Sequence, residues 1–269
     1  MEGDNKIDIQ HPEAWDLLVA IGNRQVNYIL YAPTVAGSLV IGAVERADDT
    51  LQALEDAVYA TPVLLNEYKR VRVVLNSPHF VLLPPETPDK DAEAMLQVAF
   101  PGEEGEVAVC QLPQTGLKIA YFLPQGMKAF LGRTFSYPET CHHLMPLCEH
   151  FMSQYGGDRP SCMFLNLQAG TMDLFICRDG MLQCANTYRF SSDEDAVYYA
   201  MSAWRAHGMD QLTDEMLLMG DLHECGEMTP LLREYVKSVM PAEFPVAAMR
   251  LGRNALQAPL DLILLALCE

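Results

Sequence analysis

Basic residues are scarce in this chain. Eighteen Lys and Arg stand against 36 Asp and Glu, a formal charge of −18. A surface of that sign repels nucleic acid and anionic lipid, so DNA, RNA and membrane surfaces are not expected as partners. It also opposes unaided binding of a polyanion such as ATP, which would need a local basic or amide-lined pocket. Long apolar runs are missing too, and none reaches the roughly 20 residues of a membrane-spanning helix. The opening MEGDNKIDIQHPEAWDLL has no basic segment leading into an apolar one. A secretory signal is therefore not expected, and the chain reads as cytoplasmic. No C-x-x-C pair occurs among the eight cysteines. In a reducing compartment they are expected to be small buried hydrophobes.

What is present is enough apolar material for two cores. The 269 residues are 50% hydrophobic, which suits two domains better than one. In the first half, WDLLVAIGNRQVNYILYAP reads as strand, turn, strand, and GSLVIGAVER as a third strand. TLQALEDAVYA is a short helix, and Pro62 is expected to start another at PVLLNEYK. RVRVVLNSPHFVLLPPE predicts two strands about a Ser77-Pro78 turn. A helix to about Phe100 and the acidic loop PGEEGE follow. VAVCQLP and LKIAYFLP then flank the turn QTG. In the second half, SCMFLNLQAGTMDLFICRDGMLQCANTYRF predicts three strands, with a turn at Arg178-Asp179-Gly180. Ser192 and Asp195 form a capping-box pattern before the helix DAVYYAMSAWRAHG. DEMLLMGD is a strand, TPLLREYVKSVM a helix capped by Thr229, and APLDLILLALCE a buried helix. The order makes an α/β protein with two halves, residues 1–118 and 119–269, each a mixed sheet flanked by helices.

The halves superpose in sequence at a constant offset of 146. Leu17 falls on Met163, Ala20 on Asn166 and Gly22 on Gln168. Val26, Tyr28 and Leu30 fall on Met172, Leu174 and Ile176, so the strand alternation stays in phase. Two similar sheet-containing halves place a cleft between them, where ligands commonly bind.

Several local patterns have a plain structural reading. CHHLMPLCEH, residues 141–150, invites a metal. However, Cys141 and Cys148, like His143 and His150, are seven apart, whereas helical ligands sit three or four apart. Leu144, Leu147, Cys148 and Phe151 form an apolar stripe instead, predicting a packed helix and no metal. Ser77 and His79 share a strand face, but no Asp orients them, so a hydrolase dyad is not expected. Asp173 fits a solvated strand position as well as a functional one. His223, Glu224 and Cys225 read as a plain turn. The methionines of 201–219, Tyr198 and Trp204 are expected in the core.

LNLQAGTMDLFI, residues 165–176, resembles the second phosphate-binding turn of the actin, sugar-kinase and heat-shock chaperone ATPase superfamily. That turn reads roughly Asp-Leu-Gly-Gly-Gly-Thr-x-Asp. Gly170, Thr171 and Asp173 match it. Asn166 stands in place of its Asp, and Gln168 and Ala169 in place of its first two glycines. VAIGNRQVNYILY resembles the first phosphate turn, with Ala20 for its Asp and Gly22 matching its Gly. MLLMGDLHE resembles the adenosine turn, with Gly220-Asp221 for a Gly-Gly pair. Over nearly its full length the chain is also similar to an uncharacterised family from Bacteroides-type bacteria with an actin-like ATPase fold. ATPVLLNEYKRVRVVLNSPHFVLLPPE, LPQTGLKIAYFLP, the helix after FSYPET and the ending LLALCE carry that likeness. The resemblance implies a two-domain actin-like (ribonuclease H-like repeat) fold. Gly22, Asn166, Gln168, Gly170, Thr171 and Gly220 are then the candidate nucleotide-cleft residues.

The substitutions matter more than the matches. In the superfamily the Asp residues hold Mg²⁺ through water, and the glycines let backbone N–H groups reach phosphate. Ala20 supplies no ligand and Asn166 is neutral, whereas nucleotide-bound magnesium needs a carboxylate or two. Loss of both removes most of the charge stabilisation that phosphoryl transfer depends on. The expectation is a non-catalytic binding or scaffold protein with a protein partner, with no catalytic residue and no ATP or magnesium cofactor. The alternative is an ATP-binding protein or phosphotransferase using the same cleft, with Asp173 supplying charge. A third reading keeps nucleotide as a structural cofactor.

Overall fold

The structure is a computed structural model that describes residues 9–155, 159–168 and 170–268, with Leu222 and Cys225 described by their backbone alone. The first eight residues and Ala169 lie outside the described residues.

The chain starts with the hairpin β1 (Asp16–Ile21) and β2 (Gln25–Tyr31), extended by β3 (Val40–Glu45). Helix α1 (Leu51–Tyr59) begins at Thr50, whose hydroxyl accepts the Ala53 N–H. Pro62–Leu65 forms a single 3-10 turn, not the helix expected through residue 69. The chain turns extended at Asn66, and the Tyr68 hydroxyl donates back to the Val63 carbonyl.

β4 (Arg70–Leu75) and β5 (Phe80–Leu83) are both present but do not pair with each other. β5 leaves for a separate antiparallel sheet with β6 (Glu106–Gln111) and β7 (Lys118–Leu123), in the order β5-β7-β6. The Ser77 hydroxyl donates to the carbonyls of Phe122 at 2.8 Å and His79 at 3.3 Å. The Ser77–His79 pair is thus a strand-exit contact. Helix α2 (Ala92–Ala99) covers this small sheet with Ala92 and Leu96.

After α3 (Met127–Thr134), strand β8 (Glu139–His142) runs parallel to β4, and α4 (Leu144–Met152) follows. Cys141 and His142 therefore lie on a strand, opposite Val74 and Leu75. The single helix expected over 141–150 is strand and then helix. The stripe Leu144, Leu147, Cys148 and Phe151 is buried on α4. Among the described residues, no group of three or more His, Cys, Asp or Glu is placed to hold a metal ion.

The second half repeats the plan with β9 (Cys162–Gln168), β10 (Thr171–Arg178), β11 (Met181–Arg189), α5 (Asp193–Ala206), β12 (Glu215–Gly220), α6 (Leu222–Arg233), β13 (Ser238–Pro241) and α7 (Leu260–Leu267). The Ser192 hydroxyl accepts the Asp195 N–H, and the Asp195 carboxylate accepts the Ser191 N–H. This is a shifted form of the expected capping box. The helix expected from Thr229 starts earlier, because the Asp221 carboxylate caps it by accepting the His223 and Glu224 N–H groups. Pro230 then sits inside the helix, and His223 and Glu224 form its first turn. Trp204 is buried, but Tyr198 faces outward at 67% exposure. Two residues round a helix from buried Ala196 and Ala200, it points to the solvent side.

The sheet orders are β3-β2-β1-β4-β8 and β11-β10-β9-β12-β13. In each, the first two neighbours pair antiparallel and the rest parallel. The rung Leu17↔Leu30 recurs as Met163↔Ile176, and Ala20↔Asn27 as Asn166↔Asp173. The offset of 146 is thus a repeat of backbone register.

A cut at 118/119 does not follow this pairing. It falls at the start of β7, while β8 joins the first sheet and α7 packs against β1. A parallel partner for β4 needs a long crossover, and the small sheet with α2 is that crossover. Buried Arg72 on β4 ties down α7, donating to the carbonyls of Leu265 at 2.6 Å and Cys268 at 3.0 Å. A cation at a helix C-terminus is favoured by its dipole.

One core runs through both halves: β1, β2 and β4, the helices α4 and α7, and the inner face of β9 and β10 with Phe164 and Phe175. The outer face, Met163, Leu165, Met172 and Leu174, packs with Ala196, Ala200 and Trp204. β9 and β10 are covered on both sides, which is why they read as near-continuous apolar runs. Cys110, Cys141, Cys148, Cys162 and Cys177 are buried as expected, whereas Cys184 and Cys268 are half-buried; burial pushes the Cys110 thiol up to about 11 and Cys177 up to about 12. No helix among the described residues is long and apolar enough to cross a membrane.

Candidate functional site

A cleft of about 970 Å³ opens between the halves. Gly22, Asn166, Gln168 and Gly220 line it, together with Ala20 and Asp221. Gly170 and Thr171 are not among its lining residues. They form the far side of the β9–β10 hairpin, where Gly170 takes a left-handed φ of 74° and its carbonyl accepts the Phe190 N–H. Thr171 pairs across the sheet with Gln168 and Arg189.

The two motif glycines in the cleft lining have structural causes. The Gly22 N–H donates to the Gln25 carbonyl at 3.0 Å and closes the β1–β2 turn. Gly220 has φ 99°, and a Cβ there would lie 2.1 Å from the Leu167 carbonyl oxygen and 2.8 Å from Asn166 Oδ1. Only glycine suits such a backbone.

The floor of the cleft is a buried polar network. Alternation puts Met172 and Leu174 outward and Asp173 inward, beside Phe175, with 5% exposure. The reading of Asp173 as a solvated strand residue is therefore overturned: α4 covers that face. Asp173 Oδ2 accepts the Asn166 amide at 2.9 Å, and Oδ1 accepts the Thr187 hydroxyl at 2.7 Å. His143, at the start of α4, brings its Nε2 to 3.1 Å from Asp173 Oδ1, an ion-pair contact outside hydrogen-bond angles. Its backbone N–H donates to the Leu75 carbonyl. The residue thus joins the first sheet to the second.

Burial opposes the imidazolium of His143, but the Asp173 carboxylate outweighs it and holds the group above its ordinary value. Burial likewise opposes the Asp173 anion. His143 and the Thr187 and Asn166 hydrogen bonds reverse that and hold its carboxyl low. His142 stacks beside His143 with ring centroids 4.3 Å apart. Its Nε2 lies 2.9 Å from the Ser77 carbonyl, and its Nδ1 accepts the Leu144 N–H. That fixes a neutral tautomer with Nε2–H donating. Burial, with the charge of His143, pushes its pKa well down. Asp261 on α7 also lines the cleft, and burial pushes its carboxyl up.

Magnesium with a nucleoside triphosphate does not fit these residues. Ala20 offers no oxygen, Asn166 gives its amide to Asp173, and the Asp173 carboxylate is already bound by three groups. The Gly22 N–H is engaged, and no lysine or arginine is among the lining residues described. His143, Asp261 and the Asn166–Asp173 coupling were not legible as parts of one site. The pair His142-His143 stood out in sequence, but nothing there told that it ends a strand and faces Asp173 some 30 residues later.

In comparison with known proteins, the family profile described as "Protein of unknown function (DUF3822)" matches residues 4–239. A Bacteroides thetaiotaomicron protein with an actin-like ATPase fold and unknown function has 20% identity. The match covers 98% of this chain and 99% of that one at a TM-score of 0.83. The PilM–PilN type IV pilus biogenesis complex contains a chain 14% identical, over 95% of this chain and 98% of that one, with a TM-score of 0.55. No curated protein matches the sequence. At these identities the structural likeness speaks for the fold alone, and the two-domain actin-like fold is the one this chain has.

Proposed function

The chain belongs to the DUF3822 family, and from its cleft we propose that it is a cytoplasmic binding or scaffold protein that does not turn over ATP and that grips a protein partner. One observation carries the reading. The position that would orient magnesium is occupied by an amide, and the neighbouring carboxylate is bound by His143, Thr187 and that amide. His143 ties the two halves together, and neither the superfamily's metal-orienting positions at Ala20 and Asn166 nor the Asp173 carboxylate is left as a free anion to position a metal. The cleft stays open, with a volume suited to a ligand or a short segment. The PilM–PilN complex supports the partner half of the reading, as a similar fold found with a protein partner.

Two measurements test this. In a thermal-shift scan, a ligand at about 100 times its dissociation constant adds about 2.7 kcal/mol. ATP with Mg²⁺ is expected to add nothing, and purified protein to release no phosphate. A shift without phosphate release would favour nucleotide as a structural cofactor, and turnover would overturn the proposal. Affinity capture from native lysate is expected to retain a specific protein. Its failure would remove the partner half of the reading.

A further inference from the structure

Charge along the cleft is one-sided. Asp221, Glu243 and Asp261 line it, and no lysine or arginine does among the described residues. Arg46 donates to the carbonyls of Gly22 and Thr50 and is not a lining residue. His143 lines the cleft too, held above its ordinary value with Asp173 at 3.1 Å and Asp261 as its anionic neighbours. Exposed Glu243 has no partner among the described residues. Asp261 accepts the Leu262 N–H at 2.8 Å with one oxygen, and burial raises its carboxyl. The Leu262 N–H and the charge of His143 oppose that rise without cancelling it.

A second feature points the same way. Asn166 is 8% exposed and lines the cleft. Its amide nitrogen is turned to Asp173, which leaves Oδ1 toward the cleft with no donor among the described residues. An amide oxygen with no protein donor is free to accept one from a ligand. Glu243, Asp261 and this amide oxygen together offer acceptors to a ligand that brings donors.

We propose that the cleft binds a guanidinium or ammonium group, carried by a basic side chain of a partner segment, between Asp261, Glu243 and the Asn166 oxygen. The inference rests on the binding reading above and names the chemistry of its occupant. A guanidinium carries five N–H donors and no acceptor, which suits such a wall. The net charge of −18 would steer a basic segment toward it.

Calorimetric titration of the full chain with acetyl-Gly-Arg-Gly-amide, its citrulline analogue and agmatine tests the assignment. The arginine peptide is expected to bind at least about tenfold more tightly than the neutral citrulline peptide, about 1.4 kcal/mol. Glu243→Gln with Asp261→Asn should lower its affinity by about tenfold or more. Glu67→Gln with Glu86→Gln removes two exposed charges elsewhere and should change it less than about twofold. If the Asp261 variant fails to fold, Glu243→Gln alone should still weaken binding about threefold. Agmatine binding as tightly as the peptide would keep the cation site and make its source a small amine. Equal binding of citrulline, or equal loss in the surface control, would overturn the proposal. Phosphate release, measured on the same protein, decides the absence of turnover separately.

Discussion

The β1–β2 and β9–β10 hairpins share a register rung for rung, yet their inner faces differ. Ala20 faces Asn27 in the first, and Asn166 faces Asp173 in the second. Leu18 faces Ile29 in one, and Phe164 faces Phe175 in the other, stacked at 4.6 Å. The first hairpin keeps an uncharged pair at the cleft. The second keeps a charge and supplies it with three partners. The repeat therefore fixes backbone position, while the helix packed on each hairpin decides what chemistry the position can carry. α4 begins with His143 over the second hairpin, and that is where a buried carboxylate survives.

Breaking the charged rung should have the largest effect. Asp173→Ala leaves His143 buried without its anion and is expected to cost about 3–5 kcal/mol in urea unfolding. The matching Asn27→Ala, at the half-buried uncharged rung, should cost under about 1 kcal/mol. Equal losses would mean that the two hairpins are energetically alike.

The end of the parallel rung comes next. Gly220 pairs with Leu167 where the first half pairs Leu75 with Ile21. Gly220→Ala must hold a positive φ and meet the Leu167 carbonyl, at about 2–3 kcal/mol or more. A fall in thermal midpoint of only a degree or two would show that β12 can shift away from β9.

A smaller effect is pH-dependent. His143 is raised, so its contribution is full below its ordinary 6.5 and is lost as pH rises through the higher folded value. Asp173 is lowered, so its contribution is present above 3.8 and is lost as pH falls through the lower folded value. The pair thus supports the fold between these limits. Asp261, raised by burial, acts in the opposite sense to Asp173 and favours the lower end. Thermal midpoints should decline from about pH 6 toward pH 9, and His143→Gln should flatten that decline. A slope unchanged in the variant would remove His143 from the account.

Gly22→Ala is the mildest test. Its φ is ordinary and its Cβ would meet only the Gln25 carbonyl, at 3.2 Å. Within about 1 kcal/mol of the parent is expected, by calorimetry, against the much larger cost at Gly220. The two motif glycines that line the cleft, Gly22 and Gly220, are then separated by backbone need.

Much of this was legible beforehand. Alternation in VNYILY and MDLFIC located both second strands, and the offset between Leu17 and Met163 carried over to paired rungs. The local cap at Ser192 was readable because its partner lies three residues away. What escaped depended on distant covering. Asp173 was ambiguous because alternation reveals that it opposes Leu174, not which helix lies on its side. Cys141 and His142 sat in an apolar stretch that suits either a strand or a helix, and only pairing with β4 decided between them. The helix start at Asp221 was missed because Thr229-Pro230 is an equally good local signal, and the Asp221 cap prevailed by satisfying two N–H groups.

By itself the sequence determined the alternating strands, the repeat of the halves, the acidic surface and the neutral residues at 20 and 166. These follow from side-chain periodicity and residue chemistry, which act over a few positions. The tertiary structure alone decided that Asn166 gives its amide to Asp173, that His143 bridges the halves, and that Glu243 and Asp261 come to line one cleft. Each of those needs elements far apart in the chain to be brought together, and a buried charge is tolerated only where such partners arrive.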